Sequence, residues 1–240
     1  MRKITAFNLE EGDRLTSKYE VLARLGGGWE GEVYKVKERY TGIERTAKLF
    51  FPHRNQKNKT AFFYARKLHK LRDCGILIHY HTGETMYFDG IPVTVLVSEY
   101  VEGTLLSDFI NQFPGKKLSV YQGFHLLYAL VRGIEQIHLL YEYHGDMHTD
   151  NVIVNRFGLT FDLKLLDVFH WGDSKKSNRE KDLCDTIRIF YDALGGARTY
   201  SRQPPQVKEI CCGLKQSLIL SKFRNMSYLR ERLEKMDLMV

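Results

Sequence analysis

The chain contains few of the residues that mark specialised classes of protein. Its 240 residues include only 5 prolines and 4 cysteines, and no two cysteines form a C-x-x-C pair. The low proline content excludes a collagen-like chain, and the cysteine spacing supports neither a zinc site nor a disulfide framework. We therefore expect a globular protein that works in a reducing compartment.

Long uninterrupted apolar runs are also missing. The two most apolar stretches, 91–101 and 124–143, are broken by Glu99 in the first and by Arg132 and Glu135 in the second. Neither stretch is therefore expected to span a membrane. The first sixteen residues carry three acidic side chains where a signal peptide needs an apolar core. These absences predict a cytoplasmic protein without membrane contact.

Charge and hydrophobicity are those of a globular chain with an excess of cations. Hydrophobic residues make up 43% and charged residues 27% of the chain, and the formal net charge is +7. This balance favours anionic ligands such as phosphates, nucleic acid or an acidic protein surface. One basic segment is interpreted as a solvated helix face, with docking of an acidic protein as the alternative and nucleic acid as the less expected partner. It comprises Arg54, Lys57, Lys59, Arg66, Lys67, Lys70 and Arg72, and is considered together with Lys175, Lys176, Arg179 and Lys181.

Periodicity divides the chain near residue 102 into two parts. In the first part, three antiparallel strands are predicted within 19–37 and 42–51. An amphipathic helix is predicted at 57–73, and a hairpin around Asp89-Gly90 is predicted at 85–101. The second part is predicted to be helical over 105–113, 121–143, 181–194 and 228–236, around a β-like block at 144–167.

The sharpest local pattern in the first part is a glycine cluster. Residues 26–33 read Gly-Gly-Gly-Trp-Glu-Gly-Glu-Val and fit G-x-G-x-x-G-x-V between two predicted strands. Because a strand and not a helix follows, the cluster predicts a hairpin whose backbone can lie close over phosphates, and not a dinucleotide fold. Alone, the pattern fits a plain glycine turn equally well.

Lys48 lies in the next apolar strand, between Ala47 and Leu49. A buried lysine needs a charged partner, and a polyphosphate would supply one. The alternative is a lysine on the solvent face of its strand.

The segment from His144 to Asn151 carries the most specific pattern. It matches H-x-D-x-x-x-x-N, with Asp146 able to accept a hydroxyl proton and Asn151 able to bind a metal ion, which is the arrangement of phosphoryl transfer. Asp167 follows at the end of an apolar strand. Its carboxylate could hold Mg²⁺ together with Asn151.

The order of glycine loop, strand lysine, H-x-D-x-x-x-x-N and strand-borne aspartate resembles the protein kinase superfamily from about Tyr19 onward. The resemblance implies an α+β fold of two lobes, with a β-rich N-lobe at about 15–101 that carries one helix and a shortened, mainly helical C-lobe at about 102–240. It also implies ATP and Mg²⁺ as cofactors, with Mn²⁺ as the other cation considered. The implied ATP contacts are Leu25, Gly26, Gly28, Gly31, Val33, Lys48, Glu99 and Val101, the last two in a hinge at 98–103.

The resemblance also assigns chemical roles. Asp146 would be the catalytic base, Lys48 would contact the α and β phosphates, and Asn151 and Asp167 would hold the metal. His148 completes the implied catalytic set, at a position where many protein kinases have lysine and small-molecule kinases often have histidine. A helix that begins near Asp182 is similar to the buried helix that anchors the family's catalytic loop.

Two features depart from the family. No acidic residue occurs between Pro52 and Arg72, so the helix glutamate that pairs with the lysine is missing. Tyr64 is its nearest match, and Asp167 is the nearest candidate to hold Lys48 instead. Gly145 replaces the arginine that reads activation-segment phosphate, and only 15 positions separate Asp167 from Asp182, which predicts a reduced activation segment.

Taken together, these residues predict a compact, atypical serine/threonine kinase that acts on a protein substrate. The missing glutamate favours the alternative of a nucleotide-binding pseudokinase scaffold. The His-Gly-Asp sequence is also similar to that of aminoglycoside and choline kinases, so a small-molecule kinase is the other alternative. We favour a protein acceptor because few residues remain for the helices that enclose a small substrate.

Overall fold

The structure is a computed structural model and describes residues 3–158, 160–169 and 176–236. Two compact units make up the chain, and each is treated by itself. The first unit consists of Met1–Asp73 and Ile78–Val101, and the second of Cys74–Leu77 and Glu102–Val240.

An antiparallel sheet in the order β1-β2-β3-β5-β4 forms the centre of the first unit. Its strands are β1 (Tyr19–Gly27), β2 (Gly31–Glu38), β3 (Glu44–Phe50), β4 (Tyr80–Phe88) and β5 (Ile91–Glu99). The predicted hairpin is confirmed, because Asp89 and Gly90 have φ values of 50° and 75° between β4 and β5, as a type I′ turn requires. The β-rich character predicted for this part of the chain is therefore confirmed.

One helix, α1 (Lys59–Lys70), accompanies this sheet. It begins later than predicted because Lys57 and Asn58 adopt left-handed φ values of 53° and 57°, which are incompatible with a helix. Lys67 is buried, with 8% of its surface exposed. The prediction that all the basic residues lie on one solvated face is therefore wrong for Lys67.

The segment before β1 packs against the sheet, although the sequence places the start of the N-lobe only at about residue 15. The Phe7 ring stacks on Phe51 at 5.3 Å between centroids and meets Phe88 edge-on at 5.2 Å. The Phe7 N–H donates to the Glu32 carboxylate at 3.1 Å. Glu32 also accepts from the Tyr34 hydroxyl.

Replacing Glu32 by glutamine should lower the free energy of unfolding of the first unit by about 2 kcal/mol, because buried donors lose a charged acceptor. Burial and the hydrogen bond to Glu32 raise the pKa of Tyr34 to about 12. Urea unfolding measures the loss. The control is Glu44→Gln, whose carboxylate pairs with Lys35 at 2.8 Å and is 42% exposed, so that its effect should stay below about 1 kcal/mol. Equal losses in both variants would contradict the prediction.

Helices dominate the second unit. They are α2 (Leu106–Asn111), α3 (Val120–Leu139), α4 (Lys176–Ala193), α5 (Ala197–Tyr200), α6 (Pro205–Cys211), α7 (Gln216–Lys222) and α8 (Met226–Glu234). A small sheet in the order β6-β7-β8 comprises β6 (Thr104–Leu105), β7 (Val152–Phe157) and β8 (Thr160–Leu165). This combination confirms the α+β fold class and the mainly helical second half.

The helix α3 begins at a capping box and packs closely against a neighbouring segment. Ser119 and Gln122 form a capping box, with bonds of 3.2 and 3.0 Å between the two residues. Its Gly133 lies against Ile76, where a Cβ atom would come within 2.1 Å of the Ile76 side chain. This close packing explains why residues 74–77 belong to the second unit although the sequence places them in the N-lobe. Among the described residues, no helix is both long enough and apolar enough to cross a membrane.

Candidate active site

The glycine loop between β1 and β2 uses its glycines for two different reasons. At Gly31, a Cβ atom would lie 1.8 Å from the Leu49 carbonyl oxygen, so the close approach of β2 to β3 requires glycine there. At Gly26 and Gly28, a Cβ atom would meet nothing within 4 Å. These two positions leave open space beside the loop, as a site for a bulky anion would need.

Strand register places several of the predicted ATP contacts in one row. Gly26 pairs with Val33, Val33 pairs with Lys48, and Lys48 pairs with Leu96 on β5. Directly paired residues of antiparallel strands point to the same face of a sheet. Val33 and Lys48 therefore share one face of the sheet, beside the open position at Gly26.

The Lys48 side chain is 12% exposed and is paired, which contradicts the alternative of a lysine on a wet strand face. Its ammonium lies 3.0 Å from the Glu30 carboxylate. Sequence analysis missed this partner, because it sought a carboxylate on the helix and not at the tip of the loop. Tyr64 of α1 is buried, and its ring centroid lies 4.9 Å from the ammonium, a cation–π contact.

The predicted hinge follows directly from β5. The Glu99 N–H donates to the His79 carbonyl at 2.9 Å, and the Glu99 carboxylate accepts from the His79 N–H at 3.1 Å. Val101 is partly buried, whereas Leu25 on β1 is 48% exposed. The end of the strand is thereby fixed at the residues to which adenine binding is assigned.

In the second unit, the loop before β7 is organised by His144, which is fully buried. Its Nδ1 accepts from the Asp146 N–H at 3.3 Å, and its Nε2 lies 2.8 Å from the Leu166 carbonyl oxygen. These partners assign the neutral tautomer with the proton on Nε2. His144 therefore links the loop to the end of β8.

Hydrogen bonds of Asn151 link Asp146, the predicted base, to the backbone next to Asp167, the other predicted metal ligand. Its side-chain N–H₂ donates to the Asp146 backbone oxygen at 2.9 Å and to the Asp146 carboxylate at 3.1 Å. Its backbone oxygen accepts from the Leu166 N–H at 2.9 Å, next to Asp167. The Asn151 Oδ1 atom and the Asp167 carboxylate are hard oxygen donors that suit Mg²⁺, which typically takes one or two carboxylates and completes its shell with substrate phosphates and water.

Asp167 itself has a left-handed backbone with φ of 51°, which aspartate tolerates and which is typical of functional positions. Two residues later, the Phe169 N–H donates to the His144 carbonyl at 2.9 Å. Residues 170–175 of the predicted reduced activation segment lie outside the described residues. The described part of the segment therefore folds back onto the loop that carries Asp146.

His148 lies beside the proposed base. Its Nε2 is 3.6 Å from the Asp146 carboxylate, and its Nδ1 is 3.8 Å from the Asp150 carboxylate. All three side chains are about half exposed or more. The His148 ring therefore lies close to the carboxylate that is predicted to be the base.

Gly145 has a physical reason to be glycine. Its φ is 94°, and a Cβ atom would lie about 3.0 Å from the Tyr143 ring and 3.1 Å from the Phe169 carbonyl oxygen. An arginine at this position would be strained by the backbone and crowded by these neighbours. Glycine at this position is therefore favoured by the local backbone and by its close neighbours.

The carboxylate of Asp182 on α4 holds the loop in place, as the resemblance implies. Its fully buried carboxylate accepts from the His144 N–H at 2.6 Å and from the Gly145 N–H at 2.9 Å, and lies 3.2 Å from the His138 Nε2. Burial alone would raise the pKa of Asp182, but the hydrogen bonds from His138 and Gly145 outweigh it and lower the pKa. His138 is a second residue that sequence analysis missed.

Comparison with known proteins identifies a family for this chain. The protein kinase domain model matches residues 19–201. A probable serine/threonine-protein kinase of Streptomyces coelicolor is 28% identical over 156 residues, which are 62% of this chain and 22% of that protein. Human cyclin-dependent kinase 15 is 28% identical over 194 residues, which are 78% of this chain and 41% of that protein. The chain spans between about a fifth and half of the length of these curated relatives.

A solved structure shows the same fold. The crystal structure of a double mutant of the Mycobacterium tuberculosis PknI kinase domain superposes with a TM-score of 0.66 at 17% identity, covering 94% of this chain and 96% of that one. Because the protein kinase domain model matches most of this chain, the chain belongs to the protein kinase superfamily.

Proposed function

We propose that this protein transfers the γ-phosphoryl group of ATP to a serine or threonine hydroxyl of a protein. The observation that carries the proposal is the double hydrogen bond from Asn151 to Asp146, in a loop whose backbone is tied to the residue before Asp167. This arrangement gathers a base and two metal ligands. The names of the relatives, which are serine/threonine and cyclin-dependent kinases, support a protein acceptor.

The residues would divide the work as follows. Asp146, with a half-exposed carboxylate, accepts the proton of the attacking hydroxyl. Asn151 and Asp167 hold Mg²⁺, which when bound offsets the negative charge of the transferring phosphate. Lys48 binds the α and β phosphates under the glycine loop, and the hinge backbone at Glu99 and Val101 holds adenine.

The acceptor protein is proposed to be acidic. Lys59, Arg66 and Lys70 are exposed on α1, whose first turn contains no acidic residue. An acidic segment would complement this surface.

A nucleotide-binding scaffold without catalysis is the second candidate. The observation that favours it is the absence of an acidic residue on α1, together with a Lys48 ammonium that already contacts Glu30. Catalysis is preferred because Lys48, Asp146, Asn151 and Asp167 are all present. A small-molecule acceptor is supported by the His-Gly-Asp sequence at 144–146 and by the identity of His148.

ATP with Mg²⁺ should stabilise the protein in a thermal unfolding experiment, because a ligand that binds only the folded state stabilises it by about 2.7 kcal/mol at a hundredfold excess over Kd. Transfer from γ-labelled ATP is then measured with an acidic protein, a basic protein, an aminoglycoside and choline as acceptors. Stabilisation with transfer to protein supports the kinase. Stabilisation without any transfer favours the scaffold, and the absence of stabilisation at millimolar ATP contradicts both.

A further inference from the structure

Glu30 sits at the tip of the glycine loop with its carboxylate against Lys48. The distance from the ammonium to the carboxylate is 3.0 Å, and the two side chains are 12% and 19% exposed. The proposed function assigns this same ammonium to the α and β phosphates of ATP. The Glu30 carboxylate and the nucleotide phosphates would thus pair with the same cation.

The loop tip is held in this position by contacts beyond the ion pair. The Glu30 carbonyl oxygen accepts from the Phe51 N–H at 2.9 Å, just after the strand that carries Lys48. The neighbouring Trp29 ring lies 3.9 Å from the Arg54 guanidinium. Because these contacts fix the loop at Glu30 and at the residue before it, the carboxylate is preorganised for Lys48 and loses little further freedom when it pairs.

Charge decides what this arrangement does to a nucleotide. A phosphate that reaches Lys48 must either displace the carboxylate or accept a like charge beside it, and both reduce the net gain from binding. Uncharged parts of a nucleotide do not meet this cost. A residue that acts in this way weakens binding more as the number of phosphates rises.

We propose that Glu30 determines nucleotide affinity by competing with the nucleotide phosphates for the Lys48 ammonium. The inference rests on the proposed function, since it takes Lys48 to be the phosphate-binding residue. It goes beyond that function by adding a residue of the loop that opposes binding. The family pattern requires only glycines and a short spacing in this loop, so the inference concerns a side chain of this chain in particular.

The test is a calorimetric titration of wild type and Glu30→Gln with adenosine, ADP and ATP, the two nucleotides in excess Mg²⁺. We expect ATP to bind about fivefold tighter to Glu30→Gln, in line with the modest strength of partly exposed ion pairs. ADP should gain less than ATP, and the adenosine affinity should change by less than about twofold. The gain should shrink in about 1 M salt, where the Debye length falls to about 3 Å.

Two further variants assign the effect. Glu44→Gln removes the same charge from the same sheet, where the Glu44 carboxylate lies 2.8 Å from the Lys35 ammonium. If long-range charge is not the cause of the effect, this variant should keep its ATP affinity within about twofold of wild type. In a Lys48→Met background, Glu30→Gln should gain markedly less, because the contested cation is gone. Glu30→Ala serves as a second variant with the same expected gain, should the glutamine variant fold poorly.

Several outcomes would overturn the inference while leaving the proposed function standing. In each of them wild type binds ATP. The first outcome is that Glu30→Gln and Glu30→Ala bind ATP as tightly as wild type or more weakly. The others are that their gain in affinity is as large for adenosine as for ATP, or as large in the Lys48→Met background as in wild type. Weaker binding would make Glu30 a positioning residue for Lys48. If wild type and all variants fail to bind ATP, the proposed function fails, and the inference fails with it.

Discussion

Asp146→Asn should lower the rate of phosphoryl transfer by at least about a thousandfold, since general base catalysis contributes about 10²–10⁴-fold and the substrate hydroxyl also loses its orienting carboxylate. Nucleotide affinity should stay within about threefold. The substitution keeps the shape of the side chain, and the Asn151 amide, 3.1 Å from the carboxylate, can still donate to an amide oxygen. Single-turnover transfer from γ-labelled ATP and a separate binding titration measure the two quantities.

The matched control for this variant is Asp162→Asn. Asp162 is exposed on β8, so the substitution removes one negative charge from the same unit without touching the loop. Its transfer rate should stay within about twofold of wild type. If Asp146→Asn keeps more than a tenth of the wild-type rate, or if it loses nucleotide binding to the same extent as transfer, Asp146 is not the base.

Asp182→Ala should cost about 3–5 kcal/mol of the free energy of unfolding of the second unit. The substitution leaves the buried N–H groups of His144 and Gly145 and the His138 ring without their acceptor, and breaking a buried charged network is costly to this degree. Urea unfolding followed by the signal of the helical unit measures the loss. Glu180→Ala on the same helix is the control, because its carboxylate pairs only with an exposed lysine at 3.4 Å among the described contacts, and it should cost below about 1 kcal/mol.

The same carboxylate fixes the direction of a pH effect. Its folded-state pKa is lowered below the ordinary value of 3.8, so its contribution to stability is fully present above the unfolded-state pKa. That contribution is lost as pH falls through the folded-state pKa. The stabilities of wild type and Asp182→Ala should therefore converge below about pH 4. A constant difference between the two proteins down to pH 2 would show that the loss comes from packing and not from the charge.

The sequence was most informative where local chemistry determines structure. Alternating β-branched residues predicted the strands of the first unit, and Asp89-Gly90 predicted its hairpin because few other pairs accept two positive φ values. The H-x-D-x-x-x-x-N pattern singled out Asp146 and Asn151, and the structure joins the two residues by hydrogen bonds. The roles of these residues in nucleotide and metal binding remain predictions.

Contacts that depend on tertiary packing could not be predicted in this way. The pairing of Glu30 with Lys48 depends on how the loop folds over β3, and nothing in the spacing of the two residues indicates it. Phe7 reaches the core through a segment without periodicity, and the short helices α5 to α7 contain too few turns for an apolar period to emerge. Residues 74–77 were misplaced because the packing of Ile76 on Gly133 is visible only in three dimensions.

The backbone at Gly145 also bears on how this protein could be re-engineered. With a φ of 94° and two close neighbours at this position, an arginine installed by a single substitution would carry backbone strain and would force its neighbours to shift by a few tenths of an ångström. A smaller side chain at Tyr143 would relieve the crowding by the ring, but the backbone strain would remain. The Gly145 N–H donates to the Asp182 carboxylate, so the substitution should also lower the free energy of unfolding of the second unit.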